Sequence, residues 1–375
     1  MSILLKNKPY LILLLTLLAL LPQYLIRCNL TVCWWFYEKL TTYYGDLWYC
    51  WNNYLSHGFP YPREYPSLIQ QVFKLIALIP GIQQSYSYYL IFPVAILAAC
   101  ALLSSYFLYK LQPSIKSLLI FWIFAPSFLF YGLLNVDLLP IITIILSYYC
   151  FTREQKLAAI LWLSLGTAIK VFPIFLLPVY LLSASKNQQI KLLIAFVGGW
   201  LILNIPFMLS DWGAWSFPYI WQIQSNFARS SEDGSWTWLV FRLFDHFGVG
   251  NWSGKVSLLI FAGSYFLILR KYWHLPLARK LMIVIILFLL TDRVYSPQYN
   301  LYLLPFLVLV DYKISLKYFY LLELPNFVQG LFLFYMKQHT ILLQGIIVFK
   351  YLALILLLRQ LLISPSQTTT TTQRK

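Results

Sequence analysis

Long apolar runs recur along the whole chain and constrain its fold more than any other feature. They fall at 10–26, 89–109, 117–134, 138–152, 157–169, 171–183, 192–209, 256–269, 281–291, 299–312, 318–336 and 341–358. A membrane-spanning helix needs roughly 20 mostly apolar residues. Only 11% of the residues are charged, against about 25% in soluble domains. The pattern predicts an all-α, polytopic transmembrane helical bundle of about 10–13 spans.

Two longer polar stretches interrupt the apolar runs, near 27–88 and 210–255. We expect both to be outer loops that carry short interfacial helices. The weaker apolar run at 68–79 is expected to lie in the membrane interface as an amphipathic helix or to dip into the membrane. The predicted domains are one transmembrane domain over 1–363 and a disordered, threonine-rich cytoplasmic tail over 364–375.

The basic residues indicate the orientation. Each short connection assigned to the inner side carries at least two of them, such as Lys110 with Lys116 or Arg270 with Lys271. The outer connections are longer yet hold fewer, as the positive-inside rule requires. We therefore expect a multi-pass protein of the plasma (inner) membrane with both termini cytoplasmic. The net charge of +16 then reflects cytoplasmic anchors, and no nucleic-acid partner is expected because no basic patch forms.

The acidic residues gather on the other side. Nine of the twelve fall in outer segments: Glu38, Asp46, Glu64, Asp137, Asp211, Glu232, Asp233, Asp245 and Asp292. Acidic side chains contribute little to membrane orientation, so topology does not force this bias. It indicates that the outer face carries chemistry that the inner face does not.

Asp46 is the most informative of these acids, because it follows the first span closely and should lie near the bilayer surface. A carboxylate there is placed to act as a general base that removes a proton from an attacking sugar hydroxyl. The alternative interpretation is that Asp46 caps a helix or pairs with a basic neighbour.

Five stretches around and after Asp46 carry a family resemblance. They stand in order at 44–49, 58–66, 132–137, 166–173 and 295–305. In this order they resemble the polytopic glycosyltransferases of the C-type superfamily, and in particular glycosyltransferase family 87, the polyprenol-phosphate-mannose-dependent mannosyltransferases. One departure is Ser67, which stands where the family usually has a second proline.

The resemblance implies a specific reaction. The donor is a sugar linked to a polyprenyl phosphate, the acceptor is a glycan or glycolipid, and the transfer is inverting and independent of metal. We expect a hexosyltransferase, with mannose as the sugar and Asp46 as the catalytic base. We expect no cofactor and no metal site, and the remaining partners are membrane lipids.

Three basic residues are the candidates for binding the donor phosphate, Lys170, Arg293 and Arg63. A charge at the membrane depth of Lys170 is costly and usually functional, although a lysine there can also snorkel to the headgroups. Arg293 can grip a phosphate with two parallel hydrogen bonds, or it can pair locally with Asp292.

The candidates for contacts with the substrates are Glu64, Tyr65, Asn135, Asp137, Gln298, Tyr299, Arg229 and Trp236. For several of them a plainer interpretation stays open. Asn135 and Asp137 are residues that a tight turn favours by itself. Trp236 belongs to a tryptophan-rich loop, and tryptophan favours the membrane interface.

Two other functions remain possible on sequence alone. A secondary transporter or lipid-linked sugar flippase would place ionisable residues near the midplane, and Glu323 is such a residue, but the chain shows no internal repeat. A ligase or polymerase of lipid-linked glycans would have similar outer loops. The clustering of the acids in outer loops favours surface chemistry over transport, while the ligase or polymerase differs from the glycosyltransferase mainly in the size of its donor.

Overall fold

The fold is entirely helical in the part of the chain that the computed structural model describes, which comprises residues 8–28, 45–57, 64–223, 253–292, 295–310, 312–338 and 340–363. No strand occurs among these residues. The prediction of an all-α, polytopic helical bundle is confirmed. The tail at 364–375 lies outside the described residues.

Sixteen α-helices follow one another in these ranges. They are α1 (Lys8–Cys28), α2 (Asp46–Asn53), α3 (Ser67–Ala77), α4 (Tyr86–Leu111), α5 (Ile115–Leu118), α6 (Pro126–Tyr131), α7 (Leu138–Thr152), α8 (Lys156–Ile169), α9 (Leu177–Ser183), α10 (Lys186–Ser210), α11 (Trp212–Ile223), α12 (Ser253–Lys271), α13 (Leu277–Thr291), α14 (Leu304–Leu309), α15 (Tyr312–Gln338) and α16 (Thr340–Ile363). Short 3-10 helices stand at Leu55–His57, Ile82–Gln84, Phe172–Leu176 and Pro297–Tyr302, and a π-helical turn at Leu119–Ile123 continues α5.

Four helices of the described chain are long and apolar enough to cross a membrane, namely α1, α4, α10 and α16. Their outward faces carry large apolar side chains, for example Leu18 on α1, Ile202 on α10 and Leu352 on α16, which are 52%, 73% and 52% exposed. Such faces are unfavourable in water, and they suit contact with lipid tails. The protein is therefore an integral membrane protein.

Proline breaks three of the expected spans into shorter pieces. The run at 117–134 is interrupted before Pro126, and the run at 171–183 begins as a 3-10 helix that contains Pro173. The run at 299–312 divides into the 3-10 helix Pro297–Tyr302 and α14, which contains Pro305. Proline lacks a backbone N–H and its ring clashes with the preceding turn, so it stops a continuing α-helix. Continuous spans were the wrong expectation at 117–134 and 299–312, while at 157–183 the structure has short helices that meet at Lys170.

The two polar stretches at 27–88 and 210–255, which were predicted to be outer loops, contain short helices where the structure describes them. Helix α3 buries Ile69, Phe73 and Ile76 on one face and exposes Leu75 on another. Helix α11 begins at Trp212, which is 60% exposed. Large apolar side chains on the outer face of a short helix fit the boundary between lipid tails and headgroups.

The centre of the bundle is formed by α7 and α13, whose side chains are almost all buried. Helix α7 packs closely against α8 and α4, and α8 packs in turn against α10. Helices α7 and α8 are joined by a short turn at 153–155 and run antiparallel. The start of α7 and the end of α8 therefore lie at the same end of the bundle, which brings Asp137 and Lys170 together.

Candidate active site

Asp46 is the first residue of α2, which lies outside the spans, and its position is fixed through backbone contacts. Its own N–H donates to Asn135 Oδ1 at 2.9 Å, and the N–H of Leu47 donates to the Leu134 carbonyl at 3.4 Å. The start of α2 is thereby docked on the turn at 132–137. A carboxylate at a helix N-terminus is also stabilised by the unpaired N–H groups there.

The Asp46 carboxylate accepts one hydrogen bond on each oxygen. The Tyr65 hydroxyl donates to Oδ1 at 2.6 Å, and the backbone N–H of Val136 donates to Oδ2 at 3.2 Å. The side chain itself is half-buried. It is thus held in one orientation while part of its surface stays accessible to a substrate.

The turn at 132–137 is held from the opposite side by Gln23 of α1, which is buried. Gln23 Oε1 accepts from the Leu133 N–H at 3.0 Å, and its Nε2 donates to the Phe128 carbonyl at 3.1 Å. A buried amide that satisfies two backbone groups fixes a turn that has no regular structure of its own. The first span therefore positions the turn on which Asp46 is docked.

Asp137 lies behind Asp46 and is fully buried. Its Oδ1 accepts from Lys170 Nζ, with which it forms an ion pair, and from the Tyr302 hydroxyl. Its Oδ2 has no hydrogen-bond partner among the described residues. Both described hydrogen bonds of this carboxylate therefore fall on Oδ1, and they orient the buried side chain toward Lys170 and Tyr302.

Lys170 follows the last residue of α8, with an extended backbone. Its side chain is 24% exposed, while Asp137 is completely covered. The ammonium also lies 5.0 Å from the centre of the Tyr299 ring and 5.7 Å from that of Tyr302, within the range of a cation–π attraction. The lysine is therefore held between a buried carboxylate and two aromatic rings, with one side open.

The surroundings of Asp46 change its acidity. Burial raises the pKa of the Asp46 carboxyl above its usual range, and the nearby Asp137 raises it further. Lys170, the Tyr65 hydroxyl and the Val136 N–H act in the opposite direction on this pKa. A general base works best when its pKa approaches the working pH. Asp46 is a stronger base here than an aspartate in water.

Glu64 lies in the turn before α3 and forms a neighbouring cluster with two tyrosines of the α2 region. Its Oε1 accepts from the hydroxyls of Tyr49 and Tyr54, the latter at 2.7 Å, and Tyr54 also reaches Oε2 at 2.8 Å. Burial and the Glu64 carboxylate raise the pKa of Tyr49 to about 12. Both tyrosines belong to α2 or its end, so Glu64 ties the helix that carries Asp46 to the segment that carries Tyr65.

Of the predicted site residues, the structure brings six into one cluster: Asp46, Tyr65, Asn135, Asp137, Lys170 and Tyr299. Glu64 lies beside the cluster, in contact with the tyrosines of α2. Gln298 is half-buried on the same 3-10 helix as Tyr299, and none of the described hydrogen bonds joins it to the cluster. Arg63, Arg293, Arg229 and Trp236 lie outside the described residues.

Sequence reasoning missed Tyr302, the hydroxyl donor to Asp137. Tyr299 and Tyr302 are three residues apart, which in a 3-10 helix of three residues per turn places them on one face. An α-helix also brings residues three apart onto one face, so the spacing of Tyr299 and Tyr302 was a signal visible in the sequence. Gln23 was also missed, because a single glutamine within an apolar run gives no indication of the turn that it holds.

A many-helix membrane bundle with a carboxylate, an ion pair and tyrosines clustered at one end defines a class of membrane enzymes. The sequence model of glycosyltransferase family 87 matches residues 64–297, which is more than half of the chain. The chain belongs to this family and is a membrane glycosyltransferase. No curated protein and no solved structure matched the chain. Asp46 lies before the matched segment, and Tyr299 and Tyr302 lie after it.

Gly45 offers a test of how closely α2 must approach the turn. A Cβ at this position would overlap the Leu134 side chain and stand 3.0 Å from the Leu134 carbonyl oxygen. The backbone at Gly45 is extended, with φ −84° and ψ 137°, which alanine also adopts. The contact with Leu134 is therefore the only obstacle to alanine here. We expect Gly45→Ala to displace Asp46 and to lower glycosyl transfer by about 10- to 100-fold.

The measurement is the initial rate of transfer by the purified variant, normalised to folded protein. Gly198→Ala in α10 is the matched control, because nothing lies within 4 Å of a Cβ there and alanine stabilises a helix interior. If Gly45→Ala retains the wild-type rate, close docking of α2 on the turn is not required for catalysis.

Proposed function

We propose that this glycosyltransferase moves a hexose, mannose, from a polyprenyl-phosphate-linked donor to a hydroxyl of a glycan or glycolipid acceptor. The reaction takes place on the non-cytoplasmic face of the plasma membrane, and both termini are cytoplasmic. The observation that carries the proposal is the Asp46 carboxylate, held by Tyr65 and Val136 next to a partly exposed lysine.

The chemistry follows from these groups. The acceptor oxygen attacks the anomeric carbon of the donor sugar, and the bond from that carbon to the phosphate oxygen breaks. The proton of the acceptor hydroxyl passes to Asp46, and the polyprenyl phosphate leaves as an anion. One displacement with a single carboxylate base inverts the anomeric configuration.

Lys170 is placed to stabilise the leaving phosphate. Its side chain is partly exposed, and its position is fixed by Asp137 and by the rings of Tyr299 and Tyr302. A fixed cation aimed at developing negative charge lowers the barrier without reorganising during the reaction. Arg293 and Arg63 are the further residues that we propose for this phosphate.

The remaining polar residues are proposed to contact the two sugars. Asn135, Asp137, Gln298 and Tyr299 border the cluster or share its helices, Glu64 and Tyr65 line the α2 side, and Arg229 with Trp236 belongs to the second outer loop. Among these, Asn135 has the clearest support, because its Oδ1 accepts from the Asp46 N–H and so lies directly beside the base.

An apolar groove beside the base supports a lipid-linked substrate. It is a shallow, open groove between α3, α4 and α7, lined by apolar side chains that include Phe73, Leu97 and Val136. Val136 is also the residue whose N–H binds Asp46. An apolar surface of this kind next to the turn that holds the base suits contact with the lipid part of a substrate.

The direct test uses the full-length protein in lipid nanodiscs with radiolabelled polyprenyl-phosphate mannose and a lipid extract as the acceptor. We expect label to move to the acceptor fraction, with little transfer from polyprenyl-phosphate glucose and none from a sugar nucleotide alone. Transfer from the sugar nucleotide without any polyprenyl phosphate would overturn the proposed donor. Movement of a solute across the membrane without any transfer would favour the transporter.

Tyr65 provides a pH test of the base. Asp46 must be ionised to accept a proton, so transfer declines as the pH falls through its pKa. The Tyr65 hydroxyl binds the ionised carboxylate and lowers that pKa. Tyr65→Phe removes this hydrogen bond, raises the pKa of Asp46 and should move the acid limb of the pH–rate profile to higher pH.

The matched control for this measurement is Tyr88→Phe, since Tyr88 is 39% exposed and its hydroxyl forms none of the described hydrogen bonds to Asp46. Its acid limb should coincide with that of the wild type. If the acid limb of Tyr65→Phe stays at the wild-type pH or moves to lower pH, a group other than Asp46 governs the acid side of the profile.

A further inference from the structure

A second polar cluster lies inside the bundle, away from the outer loops. Its centre is Glu323 of α15, which is 1% exposed. Glu323 Oε2 accepts from the Ser127 N–H at 2.7 Å, and Oε1 accepts from the Ser127 hydroxyl at 2.9 Å and from Asn300 Nδ2 at 3.0 Å. A carboxyl that accepts three hydrogen bonds joins α6, α15 and the 3-10 helix Pro297–Tyr302.

Asn326, one turn after Glu323, holds the same 3-10 helix at its start. Its Nδ2 donates to the Pro297 carbonyl at 2.8 Å and to the Ser127 hydroxyl at 2.9 Å. On the other side of the cluster the Tyr295 hydroxyl donates to Asn300 Oδ1. The 3-10 helix is therefore anchored at its first residue and at its centre.

Lys350 of α16 is a second buried ionisable residue near this cluster. It is 1% exposed, donates to Gln329 Oε1 at 2.7 Å and lies 4.0 Å from the centre of the Tyr295 ring. Buried ionisable groups are expensive in a membrane interior, and well-packed apolar residues would often serve stability equally well. Such a cluster is better explained by a requirement for one particular geometry.

The element that needs this geometry is the 3-10 helix itself. It has only six residues, and 3-10 hydrogen bonds are weaker than those of an α-helix. It nevertheless carries Tyr302, which donates to Asp137, and Tyr299, whose ring faces Lys170. Left to itself, so short a helix would not fix two aromatic side chains against an ion pair.

We infer that Glu323 is a positioning residue for glycosyl transfer. Acting through Asn300, and together with Asn326, it holds the 3-10 helix so that Tyr302 and Tyr299 keep the Asp137–Lys170 pair in its working arrangement. This inference rests on the proposed function, because it assumes that the pair takes part in the reaction. Under this inference Glu323 serves glycosyl transfer. Its position in the middle of a span is then no longer evidence for a transporter.

The first test reads the position of the helix without any activity assay. In Glu323→Gln one acceptor oxygen becomes an NH₂ group that faces the Ser127 or Asn300 donor. We expect deuterium uptake by peptides spanning 295–303 to accelerate by about tenfold or more, because local opening becomes easier. Ser315→Ala is the control, since Ser315 is equally buried on α15 but bonds to Leu307, beyond the 3-10 helix.

The second test is a kinetic double-mutant cycle with Tyr302→Phe. We expect Glu323→Gln to lower kcat by about 10- to 100-fold while the KM for the donor changes less than about threefold. If the carboxyl acts through Tyr302, the double variant should fall less than about threefold below the slower single variant. Asn326→Ala should repeat both results and gives a second, independent measurement.

The outcomes separate the two claims. Losses that multiply fully in the double variant, or an unchanged deuterium uptake in Glu323→Gln, would overturn the positioning role even in an active enzyme. Faster uptake at 295–303 in a protein that transfers no sugar would confirm the anchoring of the helix and would contradict the proposed function.

Discussion

Replacing Asp46 with asparagine is expected to lower glycosyl transfer by about a thousandfold, within the range of a lost general base. Asparagine keeps one acceptor oxygen for Tyr65 or Val136, but its amide does not accept the proton of the acceptor hydroxyl. The substitution also removes a negative charge that Asp137 repels. The folded protein should therefore be at least as stable as the wild type, although it is inactive.

The measurement pairs the rate of transfer with the thermal midpoint of the same preparation in nanodiscs. Asp211→Asn is the matched control, because Asp211 is an exposed carboxylate that caps the Ala214 N–H at 2.9 Å. It should leave the rate of transfer unchanged. An Asp46→Asn enzyme with more than a tenth of the wild-type rate would remove Asp46 from the role of base.

Lys170→Met is the second large effect that we expect, and it acts on both stability and rate. Removing one partner of a buried ion pair leaves the other charge uncompensated, at a cost of about 2–4 kcal/mol when the lysine is partly exposed. The leaving phosphate also loses its fixed cation, which should slow transfer by about 100- to 1000-fold. Both losses come from one ammonium group, and a further substitution separates them.

The double variant Lys170→Met with Asp137→Asn removes the stranded charge. It should recover most of the lost thermal stability but none of the lost activity. Lys156→Met is the control, because Lys156 pairs at 3.0 Å with Glu154, whose side chain is 79% exposed, and such surface pairs contribute only about 0–1 kcal/mol. A double variant that regains the wild-type rate would show that Lys170 serves only to neutralise Asp137.

The membrane bundle could be predicted because it depends on local features of the chain, since apolar runs determine where helices form. Asp46 was selected through the family resemblance, and its assignment as the base stays a prediction. Lys170 stood out locally, since a charge between two apolar segments needs a partner. The identity of that partner, Asp137, was not predictable, because it depends on how α7 and α8 pack.

The interior of the site was less accessible to sequence reasoning. Gln23, Tyr302 and Glu323 each form a hydrogen bond with a residue far away in the sequence. The separations are 110, 165 and 196 residues respectively. Such pairings follow from tertiary packing, which no local pattern encodes. Proline at 126, 173 and 305 was visible in the sequence, but the predicted runs were drawn through it. Proline alone does not identify such breaks, because α4, α10 and α15 continue through Pro93, Pro206 and Pro325.

The wide spacing of the groups around Asp137 has a consequence for how the protein is made. Its two partners on Oδ1, Lys170 and Tyr302, follow it by 33 and 165 residues. At about 5–20 residues per second, the ribosome delivers the lysine roughly 2–7 seconds later and the tyrosine roughly 8–33 seconds later. Until the lysine is synthesised the newly inserted carboxylate lacks both partners, and until the tyrosine follows it lacks one of them. The nascent chain must therefore keep Asp137 at the aqueous edge or in the insertion machinery until the later helices arrive.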